Sequence, residues 1–176
     1  MILQNRALFG ASESSERTMP IHPEIELFWR FIVSSVDQII TCLDGLTEAE
    51  INWRPVESTN SLFVLAVHTM GNLEENLFSV LCGQPVQRQR EAEFVAQGHS
   101  DKAIQQQWHE LQQCVYAGLA QLPAIELDRK RQHPRRGQLT GREILLVVAR
   151  HAAEHMGQAQ LTRDLLFAAR SQRSPA

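Results

Sequence analysis

Cysteine is scarce in this sequence, aromatic residues are few, and there is no surplus of basic charge. Cys42, Cys82 and Cys114 are widely spaced and form no C-x-x-C pair, so neither a thiolate zinc site nor a redox pair is expected. Scattered cysteines in odd number are typical of buried thiols in a reducing compartment. The formal charge of −3 and the pI near 6.2 argue against a nucleic-acid partner, because phosphate binding requires a basic surface.

Long hydrophobic runs are also missing. No apolar stretch approaches the length of a membrane span, and residues 1–20 lack the basic start and apolar core of a signal peptide. We therefore expect a cytoplasmic protein with no membrane partner. A chain of 176 residues is long enough for one domain with a sizeable core. We predict an N-terminal tail or arm over 1–20, one domain over 21–170 and a C-terminal tail over 171–176.

Strand-like alternation is scarce, whereas apolar residues recur every three or four positions in four long windows. These windows predict helices over about 23–43, 61–82, 101–122 and 140–169. Capping boxes at Thr47 with Glu50 and at Thr140 with Glu143 indicate helix starts. Each long helix has a single apolar stripe, which only the other helices can bury. The sequence therefore predicts an all-α fold, a four-helix bundle with long crossover connections.

The segment "PAIELDRKRQHPRRGQL", between the third and fourth predicted helices, is polar and interrupted by two prolines and a glycine. This composition predicts a long surface connection. It contains the only basic cluster of the chain, residues 129–131 and 135–136. We interpret that cluster as a solvated loop rather than a phosphate-binding site, because charge runs usually mark solvated surface.

Two histidines fall on the apolar stripe of the fourth predicted helix. The stretch "HAAEH" places His151 and His155 one turn apart, where side chains lie on the same face and can reach one ion. His68 lies in the middle of the second predicted helix, beside Leu65. Imidazoles that face a core are costly to desolvate unless they are bonded. A shared cation explains all three more simply than three separate hydrogen bonds, so we predict a metal site at His68, His151 and His155.

The pattern H-x-x-E-H also occurs in zinc peptidases, where the glutamate is the general base and an acidic third ligand lies well downstream. After His155 only Asp164 is acidic, and it lies on the same predicted helix. The peptidase layout is therefore absent. Glu154 is expected either to pair with Arg150 across the exposed face or to contact a ligand, rather than to catalyse.

Di-iron sites in helical bundles need a glutamate three residues before a histidine on two helices. The residues three before the candidate ligands are Leu65, Val148 and Ala152. This alternative fails as well, which leaves a mononuclear site with three neutral imidazoles.

Four polar residues are candidates for orienting the ligands or the substrate, three of them about one turn from a candidate ligand. They are Asn72, Glu75, Glu154 and Gln158. The remaining histidines are interpreted as surface residues. They are His22, His99, His109 and His133.

Four segments occur in a fixed order, and the resemblance that they carry covers nearly the whole chain, from about Pro23 to Leu166. They are "LTEAEINWRP", "NSLFVLAVHTMGNLEENLF", Glu93-Phe94 and "RHAAEHMGQAQLTRDLL". Together they resemble the DinB-like family of four-helix bundles. The resemblance implies a mononuclear divalent ion, zinc or nickel, held by one histidine of the second helix and two of the last. By position these are His68, His151 and His155.

Characterised branches of that family are similar to thiol-dependent enzymes that transfer or isomerise with mycothiol or bacillithiol. The resemblance therefore implies a small-molecule substrate, a low-molecular-weight thiol as cofactor and a homodimer. Three histidines on a tetrahedral ion leave one open position, which is typical of catalytic zinc. We expect nucleophilic attack by a thiol or by water, which corresponds to an S-transferase, an isomerase or a hydrolase.

Two further hypotheses stay open. A non-catalytic metal-binding or dimerising bundle would have a fourth protein ligand that closes the coordination shell. A metal-free bundle would have three histidines satisfied by hydrogen bonds.

Overall fold

A computed structural model describes residues 21–173. Four long helices dominate it, with two short helices between them. They are α1 (Pro23–Thr41), α2 (Glu48–Ile51), α3 (Leu62–Leu73), α4 (Arg90–Glu93), α5 (Asp101–Ala120) and α6 (Gly141–Arg173). A π-helix (Glu74–Leu81) continues α3 without a break. The tail predicted over 1–20 and the last three residues of the C-terminal one lie outside the described residues.

The long helices pack around one apolar core, as their stripes predict. Each long helix contributes side chains that are at most 1% exposed. They are Ile32 and Val36 of α1, Leu65 of α3, Val115 of α5 and Ile144 of α6. The helix α6 runs along α1 and also packs on α3, so the two helices that carry the candidate ligands are neighbours. The prediction of an all-α bundle is confirmed. Among the described helices, none has the length and apolarity needed to cross a membrane.

Both predicted capping boxes form. The Glu50 carboxylate accepts from the Thr47 backbone N–H at 2.9 Å, and the Glu143 carboxylate accepts from that of Thr140 at 2.7 Å. The second box begins α6, whose 33 residues span roughly 50 Å at the usual rise of an α-helix. Because one uninterrupted helix carries both His151 and His155, their relative position is set by helix geometry alone.

The long connection predicted before α6 lies mostly on the surface, but it contains regular structure that the sequence analysis did not predict. The segment forms a 3₁₀ turn (Ala124–Leu127) and then an antiparallel hairpin of β1 (Lys130–His133) and β2 (Gly137–Thr140). Gly137 has a φ of 73°, a left-handed conformation that glycine adopts without strain. Short polar strands have no apolar alternation, so sequence periodicity gives no signal for this hairpin.

His133 anchors the hairpin to the π-helix and is not a surface residue as predicted. Its side chain is only 1% exposed. The backbone N–H of Arg135 donates to Nδ1 at 3.0 Å, so the ring proton lies on Nε2 and is donated to Oδ1 of Asn76 at 2.9 Å. Burial, and next the positive charge of Arg135, lower the pKa of His133 below its ordinary value.

This lowered pKa predicts a loss of stability in mild acid. The unfolded chain takes up a proton on His133 below about pH 6.5, whereas the folded chain resists it, so the free energy of unfolding falls as pH decreases. One proton contributes at most about 1.4 kcal/mol per pH unit. Urea unfolding between pH 7 and pH 5 should show a shallower pH dependence for His133→Gln than for wild type. His109→Gln, at an exposed position, should keep the wild-type slope, and equal slopes for all three proteins would refute the assignment.

Candidate metal centre

The structure brings His68, His151 and His155 together between α3 and α6. Nε2 of His151 lies 3.2 Å from Nε2 of His68 and 3.1 Å from Nε2 of His155. One nitrogen from each ring lies within 4.8 Å of the other two. His68 is buried, and the other two rings are partly buried at the edge of the bundle. The three rings thus form a small cluster of nitrogen atoms.

The outer nitrogen of His68 is held by a buried carboxylate. Nδ1 of His68 lies 2.8 Å from Oε2 of Glu93, which is only 5% exposed. Since the carboxylate accepts the Nδ1 proton, Nε2 is left to face the cluster. Burial alone would raise the pKa of Glu93, but hydrogen bonds from His68 and Arg88 bring that pKa below its ordinary value. Glu93 is therefore ionised at neutral pH.

A guanidinium group neutralises this carboxylate. Nε and Nη2 of Arg88 each lie 2.7 Å from a different oxygen of Glu93, a bidentate pair. Arg88 also donates to Glu75 at 3.0 Å, and Glu75 accepts from Arg135 at 3.0 Å. Alternating charges thus connect His68 to the hairpin turn. Gly71 of α3 makes room for the Glu93 side chain, because any other residue at position 71 would have its Cβ 2.4 Å from Oε1 of Glu93.

The outer nitrogen of His155 has a partner on its own helix. Nδ1 lies 2.8 Å from Oε1 of Gln158, which accepts its proton and leaves Nε2 facing the cluster. His151 differs, because within the described residues its buried Nδ1 has no hydrogen-bond partner. Burial, and next the charges that His155 and His68 would carry, lower the pKa of His151 to about 3. Burial lowers the pKa of His155 too, so both rings are neutral at physiological pH.

This donor set fits a divalent cation. Metal ligands must be deprotonated, and the pKa values of His151 and His155 satisfy that condition without metal. Three Nε2 atoms that point at one another cannot all be satisfied by hydrogen bonds among themselves, whereas one cation would bind all three lone pairs. Neutral imidazoles are suitable ligands for divalent zinc, copper, iron and nickel.

The four candidate orienting residues have different surroundings. Gln158 contacts a candidate ligand directly, and Glu75 reaches His68 only through Arg88. Glu154 is exposed and pairs with Arg150 at 3.3 Å, one of the two contacts expected from the sequence. Asn72 is buried one turn after His68, and its Oδ1 has no partner among the residues that the structure describes. A role of any of them in catalysis stays a prediction.

Sequence reasoning did not assign a role to Glu93, Arg88 or Phe94. The ring of Phe94 lies against that of His68, with 4.7 Å between the centroids, and shields it from one side. The pair Glu93-Phe94 was visible in the sequence only as part of a family resemblance. Glu93 is 25 positions from His68, so no helical spacing could connect them.

Comparison with protein families matches residues 28–167 to the mycothiol-S-transferase family. The chain belongs to this family. It is a DinB-like family, so the resemblance seen in the sequence is confirmed. A solved structure, the conserved protein of locus from Enterococcus faecalis, is similar with a TM-score of 0.64 and 18% identity over 82% of this chain and 97% of the other. That likeness shows a shared fold alone. No curated protein matches the chain.

The contact between Glu93 and His68 predicts a dependence of metal affinity on residue 93. Glu93→Gln removes the negative charge that makes Nε2 of His68 a stronger electron-pair donor to a metal. It also leaves Arg88 without its bidentate carboxylate partner. The change should weaken zinc binding about 10- to 100-fold in competition titrations with a chromophoric chelator. Glu91→Gln, an exposed change in the same short helix, is the matched control and should bind zinc like wild type. Unchanged affinity in a folded Glu93→Gln protein would contradict the role.

Proposed function

We propose that this protein is a metal-dependent thiol S-transferase in which His68, His151 and His155 hold a divalent ion. The observation that carries the proposal is the convergence of three Nε2 atoms, with two contacts of 3.1 and 3.2 Å. Membership of the mycothiol-S-transferase family supports a low-molecular-weight thiol as the nucleophile. A small molecule with an electrophilic carbon is the second substrate.

A divalent ion held by His68, His151 and His155 would supply positive charge, which would lower the pKa of a nearby thiol and make thiolate available near neutral pH. The thiol proton is released to solvent. The sulfur lone pair then forms a C–S bond with the electrophilic carbon, and the leaving group departs with the electrons of its bond. Water in place of the thiol would make the protein a hydrolase, but the family match favours the thiol.

The protein's own side chains would position the donors and shape the site. Glu93 keeps the Nδ1 proton of His68 in place, and Gln158 does the same for His155. In the described part of the chain, no fourth His, Cys, Asp or Glu belongs to the cluster. Three protein donors leave one coordination position of a tetrahedral ion open. This supports a catalytic site rather than a structural one, in which all four positions are filled by the protein.

Glu154 is not proposed as a general base. Its side chain is 53% exposed and paired with Arg150. A general base must lie within hydrogen-bond reach of the proton that it takes, whereas the carboxylate of Glu154 contacts Arg150. Gln158 and Asn72 stay candidates for orienting the substrate.

Metal identity, assembly and location are finer points of the same proposal. Zinc and nickel both suit three imidazoles, and elemental analysis distinguishes them. The homodimer stays a prediction, which light scattering of the purified protein would test. The cytoplasmic location also stays a prediction.

Metal content is the first test of the site. Wild-type protein should purify with about one divalent ion per chain, and His151→Ala should lose most of it, because two imidazoles on different helices do not make a competent site. Elemental analysis by mass spectrometry measures both. His109→Ala, at an exposed histidine of α5, should retain the wild-type stoichiometry. A wild-type protein without stoichiometric metal would overturn the proposal.

Thiol transfer is the second test. With mycothiol and an electrophile such as monochlorobimane, the wild-type protein should accelerate conjugate formation. Chelation should reduce the rate at least 100-fold, and added zinc or nickel should restore it, since the nucleophile depends on the ion. Fluorescence of the conjugate gives the rate. Replacing mycothiol with 2-mercaptoethanol under the same conditions tests whether the thiol itself is recognised.

A metal-loaded protein that shows no transfer with any thiol would instead support the non-catalytic bundle.

A further inference from the structure

Four charged side chains lead from the hairpin turn to the candidate ligand His68. They are Arg135, Glu75, Arg88 and Glu93, here called the charge series. Glu75 accepts from Arg135 at 3.0 Å and from Arg88 at 3.0 Å. Glu93 accepts from Arg88 at 2.7 Å and from Nδ1 of His68 at 2.8 Å. Positive and negative charges therefore alternate, contact by contact, from the surface to the ligand.

The charge series becomes more buried toward its inner end. The side chain of Arg135 is 43% exposed and that of Glu75 is 12% exposed, whereas those of Arg88 and Glu93 are 5% exposed. Charges that are withdrawn from water interact more strongly, because less solvent screens them. A change of charge at Glu75 therefore acts on the inner pair across a region from which most solvent is excluded.

One oxygen of Glu93 receives two donors. Oε2 accepts from Nδ1 of His68 at 2.8 Å and from Nη2 of Arg88 at 2.7 Å. The two donors share the negative charge of this oxygen, so a stronger contact with Arg88 weakens the hydrogen bond with His68. The same guanidinium donates through Nη1 to Oε2 of Glu75. Glu75 therefore competes with Glu93 for Arg88, and this competition favours the hydrogen bond of His68.

A second competition occurs at Glu75 itself. Its Oε2 accepts from Nη1 of Arg88 at 3.0 Å and also from Nη2 of Arg135. The hairpin fixes the position of Arg135, since its backbone N–H donates to Nδ1 of His133 at 3.0 Å, and the buried ring of His133 contacts Asn76 at 2.9 Å. Arg135 thus reduces the negative charge with which Glu75 attracts Arg88.

We propose that Glu75 and Arg135 are positioning residues of the metal centre, which set the strength of His68 as a ligand through the inner half of the charge series. The inference rests on the proposed function, because it requires a divalent ion at the three histidines. A carboxylate that accepts the outer N–H of an imidazole makes the other ring nitrogen a better metal ligand. The two residues have opposite effects: Glu75 strengthens metal binding, and Arg135 weakens it.

The zinc affinities of two single variants test these signs. Glu75→Gln keeps an accepting oxygen but removes the charge that attracts Arg88, so zinc should bind about 3- to 10-fold more weakly, a smaller loss than at Glu93 because Glu75 acts from further out. Arg135→Gln leaves Glu75 a stronger partner for Arg88, so zinc should bind about threefold more tightly. Competition titration with a chromophoric chelator at low salt measures both affinities. Glu75→Asp, which keeps the charge, should bind zinc more tightly than Glu75→Gln.

A double-mutant cycle separates this route from a direct effect of charge on the ion. If Arg135 acts through Glu75, Arg135→Gln should change zinc affinity by less than about 1.5-fold when Glu75→Gln is also present. A direct effect of the Arg135 charge would be equal in both backgrounds. Arg136→Gln removes the same charge from the exposed neighbouring residue and should bind zinc like wild type. Circular dichroism of each variant checks that the bundle is folded.

The possible failures are distinct. If both single variants change zinc affinity in the same direction, or if neither changes it, the inference is overturned while the proposed function stands. The same holds if the effect of Arg135→Gln persists in the Glu75→Gln background, or if Arg136→Gln reproduces it. Because Arg135 is at the surface, its variant tests the sign even if Glu75→Gln folds poorly. If the wild-type protein binds no zinc, the proposed function falls and the inference falls with it.

Discussion

The hydrogen bond between Glu93 and His68 is the interaction on which the candidate site depends. Burying a charged carboxylate costs free energy unless the charge is paired, and Glu93 is only 5% exposed. It has both an imidazole and a guanidinium as partners. Removing one partner from such a buried pair costs about 3–5 kcal/mol, so the three groups stabilise each other's positions. The orientation of His68 is therefore set by a polar network rather than by apolar packing.

This network also explains how α4 is held in place. A helix of four residues has almost no cooperative stability of its own. The Glu93 side chain fastens it to α3, and the close approach at Gly71 permits that contact. On the other side, Arg54 donates to the carbonyl of Phe94 at 2.9 Å and to that of Thr59 at 2.8 Å. The short helix is thus fixed by polar contacts at its C-terminal end.

The bundle and the three histidines were predictable because both follow from periodicity. Apolar residues at helical spacing placed His151 and His155 inward, and the same rule placed His68 on the facing helix. The hairpin and the role of Glu93 were not predictable, because each depends on polar contacts between distant parts of the chain. His133 illustrates the reason: beside Pro134 in a polar stretch it looks exposed, yet its burial depends on Asn76, 57 positions away.

The residues that orient the three imidazoles lie at very different distances from them along the sequence. Gln158 fixes His155 from three residues away, and helix geometry fixes His151 relative to it. His68 depends on Glu93 and on the packing of α3 against α6, which exist only in the folded bundle. In an unfolded or partly folded chain His68, which is 83 positions from His151, is not held beside the histidine pair of α6. A cation that needs all three donors binds the folded state selectively, so metal affinity and stability of the bundle are thermodynamically linked.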